Sequence, residues 1–537
     1  MSFAIDRRAA LRLMTQALAA TSVLRAGAAA ADGLPSAFDQ ALAAAAADHP
    51  VLAGYYRDRA FATLWTGSAD AGRRETALNA FDTAALHGLP VPRYDAAALR
   101  HQFETVQTEG ELGRLEVAMS AACLAFVRDL SSGALEPQKV SGDIKREIAR
   151  PDPAVVLARV EAADFVSFMS NLAPTAPEYA RLMKEKLGLE ALIAADGFGP
   201  EIAADAVGLG ESGASVVALR DRLMMLGYLA RSFAVSYDSD IQAAVQQFQL
   251  DNGITPDGVA GQGTVDALNT GAEARLKSIV VAMERLRWMG NGPLGARHIW
   301  VNQPDFTAQV VDGGRVTFQT RVVIGKVGPD TESPEFSDEM EYMVVNPTWS
   351  VPRSIVVKEY LPMLQRNANA QEQLQVIDRA GRVIPRGNIN FASYTANSFP
   401  FALRQPPSDG NALGKVKFMF PNPFNIYLHD TPTKALFAKE VRAFSHGCIR
   451  VGSPFDLAYT LLTPQSDDPE GLFQSYLAGG REAVLNLASP VPVHLVYFTA
   501  WPTTQGMIGY RQDIYGRDAA IFASLSEAGL VLPGVQS

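Results

Sequence analysis

The sequence predicts a multidomain α+β protein with a helical N-terminal scaffold, a small three-helix module, and a mostly β C-terminal domain carrying an inserted subdomain. Three observations carry that prediction. At 537 residues the chain is too long for one hydrophobic core. Its composition, 48% hydrophobic and 19% charged, is that of a folded rather than a disordered chain. Apolar residues recur at helical spacing up to about residue 289, after which β-branched runs with period two take over.

Residues 1–31 read as an export signal. Asp6-Arg7-Arg8 opens a short charged region, an apolar run extends from Leu13 to Leu24, and the small-residue tract Ala26 to Ala31 supplies a cleavage site. The paired arginines resemble a twin-arginine signal. The apolar run is shorter than the roughly 20 residues a spanning helix requires, and no later segment reaches that length, so no membrane span is expected once the signal is removed. The expected compartment is the periplasm.

Residues 36–205 carry alanine-rich amphipathic stretches such as Glu75 to Leu86 and Leu112 to Leu130, punctuated by Gly88-Leu89-Pro90 and Pro151-Asp152-Pro153. With no acid–base constellation in it, this segment reads as a scaffold. Residues 208–270 form a compact module: Leu219, Leu223 and Leu226 make one apolar face, Ile241, Val245 and Phe248 a second, and Val265 to Leu268 a third helix. A continuous helix over 272–289 is expected to connect it to the strand-rich domain of 295–500. Within that domain, residues 353–410 are polar and rich in Gly and Asn, too long for a plain loop, and read as a lid. Residues 501–537 remain as a C-terminal extension.

The formal net charge of −10, without a clustered basic stripe, argues against a nucleic-acid partner. Two cysteines occur. Cys123 sits in an apolar helical run, where cysteine behaves as a small hydrophobe, whereas Cys448 follows His446-Gly447 and precedes Ile449-Arg450. A thiolate nucleophile needs a nearby base or cation, and His429, His446, Arg442 and Arg450 all lie within twenty residues of Cys448. Gly447 permits a tight turn that would aim the amides of Gly447 and Cys448 at one point, as an oxyanion hole requires. His429, His446 and Cys448 do not have the spacing of a usual zinc signature and lack an evident fourth ligand, so neither a metal nor a cofactor is expected.

These residues carry a family resemblance. Ser445-His446-Gly447-Cys448-Ile449-Arg450, with His429 nineteen positions ahead of the cysteine, resembles the L,D-transpeptidase catalytic domain. The segments 344–355, 403–422 and 426–437 agree with it. The spacing of Gln246, Phe248, Gln249, Gly253, Asp257, Gly258, Gly261 and Thr264 resembles a peptidoglycan-binding domain. Together they resemble the large multidomain periplasmic branch of that family. The resemblance implies Cys448 as nucleophile, His429 as its base, and the backbone carbonyl of Asp430 as the group that orients the histidine. His446 and Gly447 would belong to the oxyanion and substrate wall, and Arg450, Ser445 and Tyr427 to substrate binding. Ser333, before Pro334, stands where the family pattern has threonine, a position read as peripheral.

The implied reaction cross-links peptidoglycan through a cysteine thioester, expelling the terminal D-alanine of a tetrapeptide donor stem. Carbapenems are the expected inhibitors. Opening of the same thioester by water or by a protein amine would instead give an L,D-carboxypeptidase or a protein-to-wall ligase. A wall-binding scaffold with an inactive enzyme domain is the reading that an intact His429 and Cys448 oppose.

Overall fold

The structure, a computed structural model, describes residues 35–535; the expected export signal lies outside them. Among the described residues no helix is long and apolar enough to cross a membrane.

The N-terminal region is helical, as its periodicity predicts. Its longest helix, Glu109–Ser132, starts with a capping box: Thr108 Oγ1 accepts from the Glu111 amide, and the Glu111 carboxylate accepts from the Thr108 amide. The helix buries Leu115, Met119, Cys123, Phe126 and Leu130 on one face. The buried Glu116 accepts from the amides of Leu64, Trp65 and Thr66 and from the Tyr56 hydroxyl, so this carboxylate clamps a loop. A buried charge with all its lone pairs occupied is a structural device.

The continuous helix expected over 272–289 is Ala272–Met289, and it is more than a connector: it is buried along most of its length and belongs to the helical domain's core. The C-terminal extension joins the same core. Its hairpin (Ala500–Pro502 with Ile508–Tyr510) and its helix Arg517–Glu527 send Ile508, Ile521 and Leu525 into that same core. The charged side chains of the central helix are buried in ion pairs, one within the helix and two with residues distant in sequence. Arg287 pairs with Glu284 at 2.7 Å, and Arg285 pairs with Asp518 at 3.0 Å and with Glu335. Buried cations are tolerated only when paired in this way.

The three-helix module closes on Leu219, Leu223, Ile241, Val245, Phe248 and Leu268. Gln249, part of the motif, is its internal staple. The Gln249 amide nitrogen donates to Asp257 and to the Val259 carbonyl and lies 3.1 Å from Thr264 Oγ1, and its carbonyl accepts from the Gly258 amide. The module leans on the C-terminal segment through Asn252 Oδ1, which accepts from the Tyr510 amide at 3.0 Å, and through Arg511, which donates to the Asp251 carbonyl.

The strand-rich domain is built from β1 (Arg297–Asn302), β2 (Thr307–Asp312), β3 (Arg315–Gly325), β4 (Phe336–Val345), β5 (Trp349–Ser350), β6 (Gln375–Ile377), β7 (Ala402–Gln405), β8 (Val416–Met419), β9 (Leu428–His429), β10 (Ala443–Ser445), β11 (Ile449–Val451) and β12 (Ala483–Val496). Nine of them form one sheet in the order β10-β3-β11-β9-β8-β4-β12-β1-β2, and a further β2–β3 pairing closes it on itself. Its apolar interior includes Val322, Ile324, Phe418, Leu428, Ile449 and Val451. The remaining strands β5, β7 and β6 form a small sheet of the insertion, which has its own core around Val356, Leu364, Phe391 and Leu403. The insertion is therefore a subdomain, beginning at Trp349 rather than at residue 353.

Candidate active site

Period two places the site. Phe418, Leu428, Ile449 and Val451 point into the barrel core, so the alternating strand residues Lys417, His429 and Arg450 face the other way, while Tyr427 and Cys448 directly precede β9 and β11 and pack partly against the core. Lys417 is the register partner of His429, and His429 that of Arg450, so three adjacent strands present these side chains side by side. The Tyr427 ring packs edge-on against His429 with centroids 5.7 Å apart, and the Lys417 ammonium sits 5.8 Å from the Tyr427 ring centre.

His429 Nδ1 lies 2.5 Å from the Asp430 backbone carbonyl. A carbonyl only accepts, so Nδ1 carries the hydrogen and Nε2 is left as a free acceptor. The Asp430 carboxylate is engaged elsewhere: it accepts from the amides of Lys415 and Thr431 and from Lys434 Nζ. Burial lowers the His429 pKa to about 4, with the neighbouring Arg450 charge pushing the same way.

Cys448 and Cys123 are both free thiols. Cys448 is half-buried, and its Sγ–H donates to the Asn425 carbonyl at 3.6 Å; no hydrogen bond joins it to His429 among the described residues. Desolvation pushes its thiol up to about 11, against the opposing hydrogen bonds of Tyr427 and the charges of Arg450 and Lys417. The resting pair is thus a neutral thiol beside a neutral imidazole. Alkylation of Cys448 by iodoacetamide is accordingly expected to be slow at pH 7 and to climb about tenfold per pH unit, levelling only toward pH 11. A rate that levels at pH 8–9 would show an ordinary thiol.

The turn that carries Cys448 departs from the expected arrangement. Gly447 has φ +109°, a conformation that favours glycine. Its amide, however, donates to Ser445 Oγ at 3.1 Å and is not available to an oxyanion. No described residue accepts from the Cys448 amide, which leaves one free donor where two were expected. Ser445 is buried, and its hydroxyl also donates to the Cys448 carbonyl at 2.6 Å. Ser445, expected in substrate binding, thus has its hydroxyl engaged in bracing the turn. His446 points away from the turn: its Nε2 is 2.6 Å from Glu359 of the inserted subdomain and 3.4 Å from Lys326 Nζ.

Arg450 Nε is buried without a partner, and no described carboxylate pairs with the guanidinium. Burial lowers the pKa of Arg450 and also that of Lys417. His494 lies on β12, where its ring bonds Ser337 Oγ and the Leu294 carbonyl.

Sequence reasoning missed Lys417, Asn425, Ser333 and Glu359. The alternation through Lys417-Phe418 was a usable signal for the first. Asn425 adopts φ +56°, a conformation asparagine tolerates, but nothing local marks its carbonyl as the thiol's partner. Ser333 is not peripheral: its hydroxyl donates to the Gly447 carbonyl at 2.6 Å.

Comparison with known proteins agrees with this architecture. Residues 296–474 match the model of the L,D-transpeptidase catalytic domain, residues 50–185 a "Scaffold domain", and residues 212–268 a "Putative peptidoglycan binding domain". A curated relative, the "Putative L,D-transpeptidase" of Haemophilus influenzae, is 33% identical over 225 residues, which is 42% of this chain and 45% of that protein. The chain thus spans about half the length of that relative.

Two solved structures are also similar. The L,D-transpeptidase of Stackebrandtia nassauensis is 16% identical, with 55% of this chain and 96% of that one covered and a TM-score of 0.22. The L,D-transpeptidase of Xylanimonas cellulosilytica is 15% identical, with 55% and 98% covered and a TM-score of 0.16. Superpositions this loose say nothing about the site. The family models carry the likeness: residues 296–474 are similar to the L,D-transpeptidase catalytic domain and residues 212–268 to a peptidoglycan-binding domain.

Proposed function

We propose that this protein is a periplasmic cysteine-nucleophile L,D-transpeptidase that cross-links peptidoglycan stems. The observation that carries the reading is the outer face of β8, β9 and β11, where His429 and an unpaired Arg450 are register neighbours and Cys448 sits on the turn directly before β11. His429 Nε2 takes the thiol proton as Sγ attacks the donor carbonyl, and an S–C bond forms while the carbonyl becomes an oxyanion. The Cys448 amide is the donor available to that oxyanion. Collapse breaks the C–N bond, and His429 returns the proton to the departing D-alanine amine. An acceptor amine then opens the thioester and regenerates the thiol.

Arg450 and Lys417 favour a donor rich in carboxylates. A planar guanidinium suits bidentate carboxylate recognition, and a buried cation without a counter-ion gains most from an anionic ligand. The inserted subdomain, which meets the Cys448 turn at His446, limits water access and so favours an amine over hydrolysis. Export by the signal of residues 1–31 places the enzyme where its polymer is. The peptidoglycan-binding module holds that polymer near the site.

Incubation with purified tetrapeptide muropeptides, followed by mass spectrometry, tests the reading. Cross-linked dimers formed with loss of one D-alanine are expected. Tripeptide products alone would assign an L,D-carboxypeptidase, and unchanged muropeptides would sink the enzymatic reading.

A further inference from the structure

We propose that Ser333 is the positioning residue that aims the Cys448 amide into the cleft, and that Tyr515 and Arg517, outside the matched catalytic domain, hold Ser333 in place. The inference rests on Cys448 being the acyl-accepting nucleophile. Ser333 Oγ accepts from the Gly325 amide at 2.9 Å, which leaves its single hydrogen for the Gly447 carbonyl at 2.6 Å. The peptide between Gly447 and Cys448 is planar and trans, so fixing its carbonyl toward Ser333 turns its N–H to the opposite side. Because the Gly447 amide is already taken by Ser445, that N–H is the turn's one free donor next to the nucleophile. A flip of this single peptide would present a carbonyl in its place.

Ser333 itself is clamped from the C-terminal segment. Arg517 Nη2 donates to the Ser333 carbonyl at 2.8 Å, and the guanidinium pairs with Glu335 at 3.2 Å and with Glu332 at 3.3 Å. The Tyr515 hydroxyl donates to the Gly325 carbonyl at 2.6 Å and accepts from the Ser333 amide at 3.3 Å. The Arg517 guanidinium also covers the Tyr515 ring at 4.5 Å. Gly325 permits this approach, since a Cβ there would lie 2.1 Å from the Thr331 carbonyl oxygen and 2.7 Å from the Ser333 nitrogen. Glu335 reaches on to Arg285 of the central helix, so the turn is anchored through Ser333 to the helical domain's core.

The test separates acyl chemistry from thiol reactivity, using the full chain. 4-Nitrophenyl acetate acetylates a cysteine by forming an S–C bond and breaking the ester C–O bond, a step that passes through an oxyanion. Iodoacetamide displaces iodide at carbon and makes no oxyanion. Ser333→Ala is expected to slow single-turnover acetylation of Cys448 about 10²-fold while alkylation stays within about twofold. Ser333→Thr keeps the hydroxyl and should restore most of the rate. If the added methyl prevents folding, Tyr515→Phe decides, with a loss of about tenfold in acetylation alone. Ser333→Ala acetylating at the wild-type rate, or losing both reactions equally, overturns the proposal. Neither reagent is a peptidoglycan stem, so these outcomes stand apart from whether muropeptides are the substrate.

Discussion

Cys448→Ala is expected to abolish acyl transfer, a loss on the order of 10⁴-fold or more, while Cys123→Ala keeps turnover within about twofold of wild type. The two thiols differ in everything except their chemistry. Cys123 is 0% exposed inside the helix Glu109–Ser132, where burial alone pushes its thiol up to about 12. Its loss removes one buried sulfur and costs stability on the order of 1 kcal/mol. Cys448 also has a raised pKa, but it retains access, lies on a turn with a free amide, and shares its face with His429 and Arg450. A carbapenem presents a strained carbonyl to the same nucleophile. Intact mass should therefore rise by one carbapenem on wild type and on Cys123→Ala, and not on Cys448→Ala. An adduct that survives in Cys448→Ala would place the reactive thiol elsewhere.

The legible part of the molecule was whatever local spacing encodes. Period two through Leu428-His429 and Ile449-Arg450 is enough to put His429 and Arg450 on one face, and the structure pairs those strands in the register that makes them neighbours. The order of the module's apolar faces and the existence of an inserted subdomain were equally local. What escaped the sequence depends on contacts across hundreds of positions. The pairing of Arg285 with Glu335 and Asp518 leaves no mark in the local pattern. The burial of Ile521 and Leu525 in one core with the helix Ala272–Met289 leaves none either. The oxyanion expectation failed for a subtler reason: glycine at 447 predicts the turn but not the direction of each peptide plane. Those planes are set by the hydroxyls of Ser445 and Ser333, one within the motif and one far outside it.

His429→Ala is expected to lower the acylation rate at pH 7 by about 10²–10⁴-fold, the usual worth of a positioned general base. The sign of the pH dependence follows from the two groups. With its pKa lowered to about 4, His429 stays neutral and able to accept a proton throughout the range above pH 5, and it fails only as the pH falls through 4. Wild-type activity should therefore hold down to about pH 5 and decline below it. The His429→Ala enzyme must wait for the thiol to ionise unaided, so its rate should rise with pH toward 11 and the gap to wild type should narrow. Asp430→Asn supplies the control. The carbonyl that orients the imidazole belongs to the backbone and survives this change, while the side-chain contacts to Lys434 and Lys415 weaken. A lower melting temperature with nearly normal acylation is expected from Asp430→Asn. A folded Asp430→Asn as slow as His429→Ala would instead make the carboxylate the group that orients the base, and a His429→Ala profile parallel to wild type at all pH values would remove His429 from the proton transfer.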